Sequence, residues 1–136
     1  MPRLSFPYRM QSRPWGLESL PLCTVGLVGP ARTVPVIAAI DSGATHPFFL
    51  KSSAADAGID LSRGRDFMVT FGGSATIGRV IDCHLRLHDH RLKASVVFVD
   101  DIKLGYALLG RTGVFGMFNE VVFLERTLDK RVELRF

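Results

Sequence analysis

Asp41 is the residue whose setting most invites chemistry. It follows the apolar run Val36-Ile37-Ala38-Ala39-Ile40 and precedes Ser42-Gly43-Ala44-Thr45. A carboxylate at the end of an apolar strand is costly to desolvate unless something uses it. The small residues after it suit such a use. Ser42 brings a hydroxyl that can hydrogen-bond to a second copy of the same loop, and Gly43 lets the backbone approach a substrate chain. Asp-Ser-Gly is equally an ordinary turn composition, and taken alone the tripeptide reads as a turn.

Three other groupings carry side chains that could do chemistry. Cys83-His84-x3-His88-x-His90 offers thiolate and imidazole ligands of the kind zinc takes. On a strand, however, Cys83 faces the core while His84 and His88 face solvent, and His90 falls in a turn, so no metal site is expected. Asp100-Asp101 follows an apolar strand, where adjacent side chains point apart, so the two cannot share a proton. Gly72-Gly73-Ser74 with Gly78 has the composition of a phosphate cradle. That cradle needs a helix N-terminus after it, and Ile77–Leu87 reads as strand.

The elements that must position these residues are mostly strands. Residues 1–19, with Pro2, Pro7, Pro14 and Gly16, predict an irregular arm. Leu20–Val28 and Thr33–Ile40 predict a hairpin that turns at Gly29-Pro30-Ala31 and ends on Asp41. Pro47–Ala57 is the best helical segment, with Gly58 just past its end. Phe67–Phe71 and Ala75–Val80 flank Gly72-Gly73-Ser74 as a tight hairpin. Val80–His88 alternates, with Ile81, Cys83, Leu85 and Leu87 on one face. Leu92–Val99, Tyr106–Leu109, Glu120–Glu125 and Arg131–Phe136 complete the strands, with a brief helical segment through Thr112–Phe118. About eight strands and one or two short helices at this spacing predict an all-β closed barrel or sandwich.

Composition bounds the function classes. A chain of 136 residues with 47% hydrophobic and 22% charged side chains forms one domain with one core. Its longest apolar stretches, Val34–Ile40 and Val96–Val99, fall far short of the ~20 residues a bilayer requires. No apolar run of signal-peptide type opens the chain, so a cytoplasmic location is expected, with the two cysteines as reduced thiols. Lys and Arg exceed Asp and Glu by 17 to 13. The basic residues sit beside acids, as in Arg63-Gly-Arg65-Asp66 and Asp129-Lys130-Arg131-Val-Glu133, which predicts a solvated mixed-sign surface and no nucleic-acid partner.

Asp41 does not stand alone. Tyr106-Ala107-Leu108-Leu109-Gly110-Arg111 lies well downstream, and Ile40-Asp-Ser-Gly-Ala44 together with Leu108-Leu-Gly-Arg111 resembles the retropepsin-like aspartic protease family. The resemblance covers residues 20–136, with residues 1–19 left as the arm. It implies a small closed all-β barrel with one or two short helices, Asp41 as the catalytic residue, and Ser42, Gly43 and Ala44 as its loop. It further implies that Leu108, Leu109 and Gly110 pass under that loop and support it. Phe71, Gly72, Gly73 and Ser74 would form the tip of a flap over the substrate. Ser42 replaces the commoner Thr. Thr45 stands where retroviral members carry an Asp that pairs with the Arg of the second motif, so Arg111 lacks that partner. Asp41-Ser-Gly-Ala-Thr-His46 looks closer to the retrotransposon and bacterial branches.

The implied activity is hydrolysis of peptide bonds by water held between two carboxylates about 3 Å apart that share one proton. This chain has one Asp-Ser-Gly; its other Asp-x-Gly, Asp56-Ala57-Gly58, ends the predicted helix and lacks a preceding strand. The second carboxylate must then come from a second Asp41, and a twofold homodimer becomes a chemical requirement. The coupled pair would favour mildly acidic to neutral pH. A peptide or protein substrate would lie as a strand between flap and loop, with no cofactor and no metal. Arg131–Phe136 is a strand that could join an intersubunit sheet. The alternative reading is a catalytically inactive retropepsin-like domain that binds or dimerises.

Overall fold

Alternation and apolar runs decide most of the architecture. The computed structural model describes residues 2–71 and 73–136. In chain order the strands are β1 (Arg3–Pro7), β2 (Arg9–Arg13), β3 (Gly16–Leu20), β4 (Leu22–Val28), β5 (Thr33–Ile40) and β6 (Phe48–Leu50). The helix α1 (Lys51–Ala57) follows, then β7 (Arg65–Phe71), β8 (Ser74–Leu87), β9 (His90–Val99), β10 (Ala107–Leu109), β11 (Glu120–Leu124) and β12 (Arg131–Arg135). Single 3-10 turns occupy Leu61–Arg63 and Phe115–Met117.

The main sheet runs β4-β5-β10-β6-β9-β8-β7, and a further pairing of β4 with β8 closes it on itself. The fold is therefore all-β with a ring of strands, as the sequence leads one to expect. Two pairings in the ring are parallel, β10 with β5 and β6 with β9. β10, the end of β5 and the end of β9 are buried on both faces, which is why they read as near-continuous apolar runs. Ala38, Phe98 and Leu109 face one cluster, with Val25, Phe49, Leu85 and Val96. Their neighbours Ala39, Val97 and Leu108 face a second, with Leu22, Ala44, Val69 and Val99. The long strand β8 serves two structures: residues 84–86 pair with β4 in the ring, while Ser74–Val80 pair with β7 as a hairpin that leaves it.

Three expectations are corrected. Residues 1–19 are not irregular: β1 pairs with β12, β2 with β3, and Phe6 is buried in the main core. The prolines punctuate strands rather than prevent them. Pro7 ends β1, and Pro14 lies in the turn between β2 and β3. The helix is also shorter than Pro47–Ala57. Phe48-Phe49-Leu50 is instead the strand β6, pairing with β9 and β10, because two buried phenylalanines fill the ring better than a helix start would. Strands among the described residues number twelve rather than eight, the surplus coming from the first twenty residues and β6.

The C-terminal end forms a second sheet with the N-terminal strand. β12 is the middle strand of a β1-β12-β11 sheet, so within one chain both of its edges are paired, and β1 and β11 are the outer strands. Val132 and Leu134 on one face of β12 are fully buried. On its other face Glu133, expected on a solvated surface, is 1% exposed. Arg3, Arg131 and Arg135 all reach its carboxylate, at 3.3, 3.2 and 2.8 Å. No helix among the described residues is long and apolar enough to cross a membrane.

Candidate active site

Asp41 is the first residue beyond β5, and the neighbouring parallel strand β10 fixes where its loop goes. The register sets Leu108 beside Ala39 and Leu109 beside Ile40. The ladder continues past the strand ends, for the Asp41 N–H donates to Leu109 O at 3.0 Å. Coming back, the N–H groups of Arg111 and Thr112 donate to Ala44 O and Thr45 O at 3.0 and 2.8 Å. The Asp41–Thr45 loop is thus clamped by three main-chain hydrogen bonds from the segment after β10. Gly110 is where the two segments touch. A Cβ there would sit 2.5 Å from His46 O, so any side chain would push the segments apart.

Within the loop, the Gly43 N–H donates to Asp41 Oδ1 at 2.8 Å and the Ala44 N–H to Asp41 O at 3.2 Å. The first bond orients the carboxylate. Ala44 is buried, whereas Ser42 and Gly43 are exposed. The Ser42 hydroxyl has no hydrogen-bond partner among the described residues. Beyond the loop, the His46 ring meets Phe67 of β7 edge-on at 4.9 Å between centroids, which ties the loop to the base of the β7–β8 hairpin. At the other end of that hairpin Phe71 pairs with Ser74, and Gly73 in the turn takes the left-handed φ of +84°. Gly72 lies outside the described residues.

Two hollows border this arrangement. One, of about 340 Å³, is lined by Asp41 and Ser42 on one side and by Tyr8, Tyr106, Phe123 and Glu125 among others. The second, of about 470 Å³, lies between the hairpin, through Ser74 and Thr76, and the segment from Asp100 to Leu104. Sequence reasoning singles out neither Tyr8 nor Glu125. The Tyr8 hydroxyl donates to Glu125 Oε1 at 2.7 Å across nearly the whole chain, and no local pattern announces such a pair. Burial first, and then the Glu125 carboxylate, pushes the Tyr8 hydroxyl well above its ordinary value, so it stays a donor.

The remaining candidates do not converge. The His88 ring stacks on Phe6 at 4.5 Å, and His90 lies 4.3 Å from the Phe136 ring. Burial raises the Cys83 thiol to about 12, as it does Cys23. The described residues hold no grouping of three or more His, Cys, Asp or Glu suited to a metal ion. Arg111 is exposed and makes no ion pair among the described residues. Its contribution to the loop is its main-chain N–H. Asp100 pairs with Lys51 at 3.2 Å.

A closed all-β ring with an aspartate loop resting on a parallel Leu-Leu-Gly segment, and a glycine-tipped hairpin beside it, defines a retropepsin-like fold. The comparison with solved structures agrees. The chain is similar to a retropepsin-like aspartic protease from Rickettsia conorii, with a TM-score of 0.64 over 98% of this chain and 89% of that one, at 13% sequence identity. At that identity the likeness is one of fold. No protein-family model matches the chain, and no curated protein does.

Proposed function

We propose that this chain is an aspartic endopeptidase whose active site is completed by a second copy of itself. The observation that carries the reading is the clamped loop. Asp41 leaves a buried strand, its main chain is held from beneath by Leu109, Arg111 and Thr112, and Gly43 orients its carboxylate. A carboxylate fixed in this way can meet its twofold mate about 3 Å away without reorganising.

Each step follows from that geometry. Two Asp41 carboxylates so close cannot both ionise, so the pair holds one proton. The ionised member takes a proton from a water lying between them. That water attacks the peptide carbonyl carbon, while the protonated member delivers its proton to the carbonyl oxygen. The tetrahedral diol then collapses, the C–N bond breaks, and a proton passes to the leaving nitrogen. Ser42, exposed at the loop tip, suits a hydrogen bond across the twofold axis. The β7–β8 hairpin suits closure over an extended substrate, excluding water from the carbonyl.

Asp41→Asn tests the reading. Wild-type protein should cleave a denatured protein or a peptide library, and the variant should cleave nothing while keeping its thermal midpoint. Equal cleavage by the variant, or no cleavage by wild type at any pH, defeats catalysis by Asp41. Sedimentation at the assay concentration should give a dimer, and full activity from a strict monomer would defeat the shared pair.

A further inference from the structure

The hollow beside Asp41 has an uneven chemistry. Leu20, Tyr106, Leu108 and Phe123 give it apolar walls, and Tyr8 and Glu125 line it together with Asp41 and Ser42. Tyr8 is held there by its N–H, which donates to Lys130 O at 2.9 Å, and its hydroxyl occupies Glu125 Oε1. Glu125 makes no ion pair among the described residues, and no Lys or Arg lines the hollow. Near its wall stands Arg13, whose guanidinium lies 5.8 Å from the Tyr106 ring centre. That group is already engaged, by Leu104 O at 2.9 Å and by Glu18 at 3.7 Å. In a chain of net charge +4, a hollow with carboxylates and no cation runs against the general balance.

A ligand that fits has a long apolar stem and a cationic tip. The stem removes the leucine, tyrosine and phenylalanine surfaces from water. The tip can meet the oxygen of Glu125 that Tyr8 leaves unoccupied, forming a charge-assisted hydrogen bond, and the aromatic faces favour a cation nearby. Lysine and arginine side chains have this form. From this geometry we infer that the hollow beside Asp41 is a subsite for a basic side chain of a peptide, and that Glu125 is the residue that selects it. The inference rests on the peptidase reading for the peptide that presents the side chain, and it names that peptide's class.

Binding separates the two ideas. The Asp41→Asn protein is titrated with fluorescent extended peptides that carry lysine at one position in turn, each beside its norleucine counterpart. At one position lysine should bind about tenfold tighter or more, the range of a hydrogen bond to a charged group. Adding Glu125→Gln should erase that preference and leave the norleucine peptides bound as before. Adding Glu125→Lys should turn the preference toward a glutamate peptide. Three results overturn the subsite: no lysine preference at any position, equal loss of lysine and norleucine peptides with Glu125→Gln, or loss of the dimer with that change. A lysine preference that persists while wild type cleaves nothing would defeat the peptidase reading and leave the subsite standing. Cleavage by wild type without basic preference would do the reverse, and failure of every peptide to bind would defeat both.

Discussion

The Asp41 loop and the terminal β1-β12-β11 sheet are held together by opposite means. Main-chain bonds hold the loop: Asp41 to Leu109, Arg111 to Ala44, Thr112 to Thr45, with Gly110 pressed on His46. Beyond its ladder and the burial of Phe6, Val132 and Leu134 on one face, the terminal sheet gathers charged side chains on the other, three arginines about one buried carboxylate, with Arg135 also reaching Glu120 at 3.1 Å. The first device tolerates changes of side chain and fails when atoms are added between backbones. The second fails when a charge is removed, and it depends on pH. Under the proposed function, a loop that presents one carboxylate in one place benefits from an anchor that neither titrates nor rotates.

Three experiments can break or sharpen this contrast. The largest effect is expected from Gly110→Ala, which forces a methyl group against a backbone carbonyl. Urea unfolding at fixed protein concentration should show a loss of about 3 kcal/mol, the upper range for overpacking. A loss no greater than that of an ordinary surface change would mean the clamp is looser than the contact implies.

Glu133→Gln comes next. Arg135 first, then Arg131 and Arg3, hold the Glu133 carboxyl below its ordinary value near 4.5. A folded value lower than the unfolded one means that the unfolded state takes up the proton first as pH falls. The stabilisation is therefore complete above the unfolded value and is lost as pH drops through the folded one. Thermal midpoints of wild type should exceed those of the variant by several degrees at neutral pH, and the gap should close under acid. A gap that does not change from neutral pH to well below 4.5 would show that the arginines stabilise the sheet by packing alone.

The smallest effect belongs to Arg111→Ala. The Arg111 side chain is exposed and without an ion pair among the described residues, so the unfolding free energy in urea should change by no more than about 0.5 kcal/mol. A larger loss in the monomer would mean that side-chain as well as main-chain atoms hold the loop.

Much of the ring was legible because strand alternation and buried runs are local signals. β5 ending on Asp41 and the hairpin around Gly73 need no knowledge of the rest of the chain. Leu108-Leu109-Gly110 was legible only through its resemblance to a family, since nothing local says that it will lie parallel to Ala39-Ile40. The first twenty residues misled because proline reads the same at a strand end as in a disordered arm. Phe48-Phe49-Leu50 misled because its neighbours β9 and β10, which decide its conformation, come later in the chain. Glu133 was hidden for a related reason: Arg131-Val-Glu133-Leu-Arg135 looks like a solvated face until Arg3 arrives from the other end. Tyr8 and Glu125 carry no signal at all before folding.

The pairing of β1 with β12 also sets an order of events. β1 has β12 as its partner, so it must wait until everything between them, from β2 to β11, has been made. Until then Phe6 has no core to enter, and Arg3 has no carboxylate to meet. Pairings this distant in sequence are slow to form because a long loop must close before any contact rewards it. The ring, whose strands are nearer neighbours, can assemble first, with the terminal sheet then sealing it. Removing β12 should accordingly leave β1 and β11 without their shared partner and Phe6 exposed, while the main-chain bonds from Leu109, Arg111 and Thr112 to the Asp41 loop stay in place.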